Sequence, residues 1–213
     1  MGATIVAARA EHARFVAWVV LSAFRSHLER GFWDFFVDGD EQPLRYLEAL
    51  ATTRARHWAH LSTFLVAEVD GRPAAGLCGY FDEELGTPAL QKGLAEANER
   101  LARKPDAIEA GLRRIAPVFH VVPRHEPGTW IVENVATDPD YRRRGLVHDL
   151  LSEMLARGRQ RGATRAGIGV LIGNDNAQRA YERAGFRVFA EKRHPDFEAV
   201  WGCPGIRALG RAL

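Results

Sequence analysis

The 213-residue sequence holds only two cysteines, Cys78 and Cys203, too few for a disulfide framework and too far apart for a CxxC metal site. A reducing cytoplasm is the expected compartment. No apolar run approaches the roughly 20 residues of a membrane span, so no membrane partner is expected. The first fifteen residues lack the basic-then-apolar order of a secretory signal. Met1-Gly2 is followed by Val6, where myristoylation uses Ser or Thr. Charge of one sign is also missing: the net value is +2, without the basic stripe of a nucleic-acid partner. Lysine is nearly absent, since all of the 29 basic residues except Lys92, Lys104 and Lys192 are arginine. That skew reads as the coding bias of a GC-rich bacterial genome rather than as chemistry. No repeat and no linker divides the chain, so residues 1–213 are expected to be a single domain. With 46% hydrophobic and 26% charged residues, the composition suffices for one sizeable core.

What is present reads as a mixed α/β or α+β order. Ala3 to Ala8 suits a short strand, and Phe15, Val16, Val19, Val20, Phe24 and Leu28 recur at helical spacing from Glu11 to about Arg30, where Gly31 can stop the helix. A second helix is predicted from Pro43 to His60. Strands Thr63–Val69 and Ala74–Phe81 flank the turn Asp70-Gly71-Arg72-Pro73. Residues 82–128 then read as an insertion after the third strand. It holds a helix opened by Thr87-Pro88, another from Pro105 to Ile115, and an extended piece from Val118 to Val122. The second half is clearer. Strand Trp130–Thr137 precedes a turn, a helix to about Arg161, a strand Arg165–Ile172 and a helix from about Asn176 to Ala184. A strand from Gly185-Phe186 to Glu191 and a last one within Ile206–Leu213 close the chain. The βαβ unit implies neighbouring parallel strands with a right-handed crossover.

The junction after Thr137 carries the strongest chemical signal. Arg142, Arg143 and Arg144 stand directly before Gly145, Leu146 and Val147 at a helix start. Amides there lack internal partners, and the helix dipole adds about half a positive charge, so the segment suits a pyrophosphate. Alone, such a turn is more often a solvated basic loop. Downstream, however, stands Asn174-x-x-Ala177-x-x-x-Tyr181, then Gly185-Phe186. Together with Arg142-x-x-Gly145-x-Val147, this pattern resembles the GNAT superfamily of N-acetyltransferases. Val147 departs from it, since Gly or Ala is usual there, and a branched side chain would crowd the phosphates. The resemblance implies a mostly antiparallel mixed sheet flanked by helices, with the helical insertion between the third and fourth strands. It also implies acetyl-CoA as cosubstrate, its pantetheine arm pairing with the backbone of Val135 and Thr137, its pyrophosphate on the amides from Arg143 to Val147, and Asn174 helping to position it. Local capping is the other reading of Asn174, with Asp175 and Gln178 as a variant capping box.

Acyl transfer to an amine requires the amine, with an ordinary pKa of about 10.4, to lose a proton and the departing sulfur to gain one. By resemblance Tyr181 is the acid; its alternative is a core aromatic. Glu133 is the candidate base. Strand alternation places it with Ile131, Val135 and Thr137, where a carboxylate is costly without a cleft or partner. A structural ion pair with an arginine competes with that role. Asn134 is expected on the opposite face, and Cys78, in a buried strand, is no nucleophile. Attack is expected to be direct, within a ternary complex.

The acceptor is expected to be a small-molecule amine or a protein or peptide amine. Trp33, Phe35 and Phe36 beside Asp34, Asp38, Asp40 and Glu41 would suit a mouth for a cationic one. The insertion would wall the acceptor pocket, form a homodimer face or merely add a surface layer. His57 and His60 are three apart on the predicted helix, with His120 and His125 further on. No carboxylate or cysteine completes a metal spacing, and no metal is expected. Two other readings remain: a non-catalytic acyl-CoA-binding module, and a nucleic-acid protein using Arg142 to Arg144.

Overall fold

Along strand β2 (Phe64–Val69) successive side chains leave on opposite faces, yet Phe64, Leu65, Val66 and Ala67 are all buried. Such a strand needs cover on both sides, and the computed structural model, which describes residues 2–38 and 42–213, supplies it. The other strands are β1 (Thr4–Ala7), β3 (Arg72–Phe81), β4 (Thr129–Thr137), β5 (Arg165–Leu171), β6 (Arg187–Arg193) and β7 (Gly205–Ala212). They form one sheet in the order β1-β2-β3-β4-β5-β7-β6. β4 and β5 are parallel, and the other pairings are antiparallel.

The helices are α1 (Ala13–Arg25), α2 (Phe32–Val37), α3 (Pro43–Ala51), α4 (Asp82–Leu85), α5 (Thr87–Arg100), α6 (Pro105–Ile115), α7 (Leu146–Gln160), α8 (Asp175–Arg183) and α9 (Pro195–Trp201). Helices α4, α5 and α6 occupy the stretch between β3 and β4. Two cores result. On one face Val16, Val20, Trp33, Tyr46 and Leu50 meet Phe64, Val66, Tyr80 and Ile131. On the other Leu150, Leu151, Met154 and Tyr181 meet Leu65, Leu77, Val132 and Ile168. Among the described residues no helix is long and apolar enough to cross a membrane.

Several expected boundaries move, each for a local reason. The first helix ends at Ser26, which has φ +59°, rather than at Gly31. Gly31 instead opens α2, where a Cβ would stand 2.2 Å from the Phe24 carbonyl oxygen. The helix expected to reach His60 stops at Ala51. The hydroxyls of Thr52 and Thr53 donate to the carbonyls of Glu48 and Leu50, at 2.9 and 3.0 Å. Val118 to Val122 is not extended: Ala116–His120 is a 3₁₀ turn. α9 was not foreseen, although Pro195 at its first turn and Gly202 in the left-handed region after its end are ordinary helix signals.

Candidate functional site

β4 and β5 pair only from Thr129↔Arg165 to Val132↔Ile168, after which they part. The cause lies in β4. Its pairing with β3 runs Cys78↔Glu133 and then Gly76↔Ala136, so Asn134 and Val135 together oppose Leu77. This is a β-bulge, and Asn134 absorbs it with φ +55°.

The bulge corrects the expected alternation. Asn134 donates from Nδ2 to Cys78 Sγ at 3.3 Å, and Glu133 Oε2 accepts from the Tyr80 hydroxyl at 3.0 Å. Cys78 and Tyr80 belong to the α1 side of the sheet, whereas Val135 packs against the α7 core. Glu133 therefore shares its face with Ile131 and Asn134, not with Val135. Asn134 Oδ1 and Thr137 Oγ1 are buried without a partner among the described residues.

Glu133 has no arginine partner among the described residues, so the competing ion-pair reading fails; its neighbour is a phenol. Burial raises its pKa from 4.5 to about 7, the Tyr80 hydrogen bond lowers it and the Asp82 carboxylate adds to the rise. The Tyr80 phenol is itself held well above its usual range by burial and by Glu133, so it remains a donor. Burial and Glu133 likewise push up the Cys78 thiol, which bears out its exclusion as a nucleophile. Tyr80 was missed from the sequence. It lies diagonally across from Glu133, a relation that only the strand register reveals.

Beyond β4, Asp138 accepts from the Asp140 amide at 3.0 Å and sets a short turn, Pro139–Tyr141. Arg143 then has φ +63° and Gly145 φ +80°. A Cβ on Gly145 would meet no protein atom within 4 Å, so the demand for glycine here comes from the backbone angle. His148 and Asp149 donate back to the Gly145 carbonyl at 2.9 and 3.2 Å. The five amides from Arg143 to Val147 have no acceptor among the described residues. Arg142, Arg143 and Arg144 are exposed; Arg144 lies 5.0 Å over the Tyr141 ring and donates to the Asp140 carbonyl at 3.2 Å. Leu146 is buried, and Val147 packs its branches against the same core rather than standing free over the turn.

Asn174 is the N-cap of α8: its Oδ1 accepts from the Ala177 amide at 3.2 Å, while its Nδ2 donates to Ser26 Oγ at 2.6 Å. The capping box expected of Asp175 and Gln178 is not formed. Gln178 donates to Glu182 and accepts from Arg207, at 2.9 and 2.8 Å. Asn174→Ala should cost about 1–2 kcal/mol in urea unfolding, because one truncation removes a cap and a tether. A change within error would separate α8 from that cap. Tyr181, on α8, is buried in the second core, and burial raises its pKa above the phenol range. Its hydroxyl has no hydrogen-bond partner among the described residues.

Among the described residues the expected cationic-amine mouth does not form. Trp33 and Phe36 are core residues, and Phe35 lies between Trp201 and Arg30, at 4.9 and 4.7 Å. Asp34 is buried, paired with Arg25 at 2.6 Å and capping the Gly31 amide at 2.9 Å; Asp38 pairs with Arg30 at 2.9 Å. Asp40 and Glu41 lie outside the described residues. His57 is fully buried, with Nε2 at 3.1 Å from the Thr53 hydroxyl and Nδ1 accepting from the Ala59 amide at 3.2 Å, which leaves no lone pair for a metal.

An unpartnered run of amides at a helix start, beside two strands that part, is therefore the setting of the motif residues. The family model of the acetyltransferase (GNAT) family matches residues 26–186. The chain belongs to that family. No curated protein matches it significantly. Among solved structures it is similar to an acetyltransferase at TM-score 0.70 and 17% identity, covering 98% of each chain. It is also similar to an N-acetyltransferase from Staphylococcus aureus Mu50, at TM-score 0.68 and 19% identity, over 98% of this chain and 100% of that one. A third is yncA, a putative acetyltransferase from Salmonella typhimurium with its cofactor acetyl-CoA. There the TM-score is 0.54 and the identity 15%, over 100% of this chain and 95% of the other. At such identities the likeness is one of fold. This GNAT chain thus shares a mixed, mostly antiparallel sheet flanked by helices with acetyltransferases.

Proposed function

We propose that the chain transfers an acetyl group from acetyl-CoA to a primary amine by direct attack in a ternary complex. The observation that carries the proposal is one fork of the sheet flanked by five unpaired amides and by a carboxyl group whose pKa is about 7. The amides from Arg143 to Val147, with Arg142 to Arg144 around them, bind the pyrophosphate as a helix start binds an anion. Backbone groups of Val135 and Thr137, beyond the last β4–β5 pair, bind the pantetheine arm. Asn174 acts indirectly, by fixing the start of α8.

The acceptor enters as an ammonium and passes a proton to Glu133, directly or through water. Its lone pair forms the C–N bond at the thioester carbonyl. Collapse of the tetrahedral adduct breaks the C–S bond, the sulfur takes a proton from Tyr181, and the second proton leaving the amine nitrogen restores the Tyr181 phenol through water. Glu133 suits the first step because its pKa lies near neutrality, where a general base works best. Tyr181 suits the second because its phenol stays protonated at neutral pH.

Thermal melting tests the cofactor: acetyl-CoA at about 100 times its dissociation constant should add about 2.7 kcal/mol to apparent stability. An amine panel followed by free-thiol release then tests turnover. Thiol release with an amine supports the enzyme. Binding without release from any amine would make the chain an acyl-CoA-binding module. No melting shift with any thioester would overturn the reading.

A further inference from the structure

The expectation of no metal rested on spacings within single segments, but the fold joins segments far apart in sequence. The turn Ala116–His120 ends on His120, and its ring lies flat on that of His194, with centroids 3.9 Å apart and planes 12° from parallel. His194 caps α9: its Nδ1 accepts from the Asp196 amide at a long 3.3 Å and stands 3.8 Å from Asp196 Oδ2. One ligand atom from each of His120, His194 and Asp196 lies within 4.8 Å of the other two.

We propose that His120, His194 and Asp196 form a three-ligand site for a divalent transition metal of the zinc class, clamping the Ala116–His120 turn to α9. Two imidazoles and one carboxylate suit zinc, nickel or copper, whereas calcium and magnesium prefer all-oxygen shells. A tetrahedral ion with bonds of about 2.1 Å holds neighbouring ligand atoms about 3.4 Å apart. The 3.8 Å between His194 Nδ1 and Asp196 Oδ2 is close to that edge. The metal takes the Nδ1 lone pair in place of the long capping bond.

Parallel rings aim their lone pairs in parallel planes, so His120 has to turn out of the stack to complete the set. His120 is exposed, and no hydrogen bond holds its ring among the described residues. The backbones meanwhile are already fixed. Lys192 Nζ donates to the Val122 carbonyl at 2.8 Å, tying β6 to the residues just past the turn. Phe197 and Trp201 anchor α9 in the first core. Three ligands leave the fourth position to water.

The test uses the tag-free full chain, stripped with a chelator, reloaded with zinc chloride alone and passed through gel filtration before elemental analysis. A single zinc equivalent should be retained, and lost in both His120→Ala and Asp196→Asn. Zinc should raise the melting temperature of the wild type but of neither variant. Cobalt in place of zinc should give the intense visible bands of a four-coordinate ion, again only in the wild type. His120 caps nothing, so its variant should fold as the wild type does without metal. No retained zinc, or equal amounts in wild type and variants, would overturn the site. Acetyl-CoA binding is not part of the readout, so the outcome stands apart from the proposed function.

Discussion

Glu133→Gln is expected to lower kcat by about 10²–10⁴-fold, the usual contribution of a positioned base, while the calorimetric dissociation constant for acetyl-CoA stays within about threefold. The amides proposed to bind the phosphates lie beyond Thr137 and do not involve this side chain. The wild-type rate should rise with pH and level off above about 7, because only the carboxylate accepts a proton. The variant should lose that limb and show a flat, low profile. Stability moves the other way. A carboxyl whose pKa is raised on folding, here from 4.5 to about 7, contributes stability that is full below its unfolded value and lost as pH rises through the folded one. Glutamine does not ionise, so the variant should be at least as stable as the wild type above pH 7, and its lost activity cannot be blamed on unfolding. A variant with wild-type turnover would remove Glu133 from the chemistry.

Tyr181→Phe should cut kcat by about 10²-fold or more, again with acetyl-CoA affinity nearly intact, because the leaving sulfur loses its proton source. The substitution is unusually clean. The hydroxyl has no partner within the chain among the described residues, and the ring fills the second core equally well as phenylalanine. Deleting a hydroxyl that bonds to no group of the described residues removes no intramolecular hydrogen bond and should be nearly neutral. Urea melts of the two proteins should therefore overlap within about 0.5 kcal/mol. An unchanged rate would reduce Tyr181 to a core aromatic.

Much of this arrangement was legible in the residues, and the misses share a cause. Arg142 to Val147 and Asn174 to Phe186 announce their elements because helix starts, caps and closing glycines are local chemistry. The face of Val135 was misread because alternation assumes an unbroken pleat, and nothing in Val132-Glu133-Asn134-Val135 announces that Asn134 takes a positive φ. The aromatics from Trp33 to Phe36 were misread for a related reason. Trp33, Phe36 and Val37 recur at helical spacing and are buried, but charges on either side masked a helix of only six residues. Asp34 was taken for an acceptor-facing charge, whereas Arg25, nine residues earlier, claims it. The Tyr80–Glu133 bond and the His120–His194 stack join partners 53 and 74 residues apart, beyond the reach of any local spacing.

The extra residue in β4 makes the fork depend on chain length more than on side-chain identity. Removing one residue between Glu133 and Ala136 would restore an even pleat, with Leu77 facing one residue instead of two, and would leave Val135 and every later position in its present compartment. What would be lost is the local bend at which β4 parts from β5. Substitutions along this stretch would leave that bend in place, whereas the loss of one residue would close the fork.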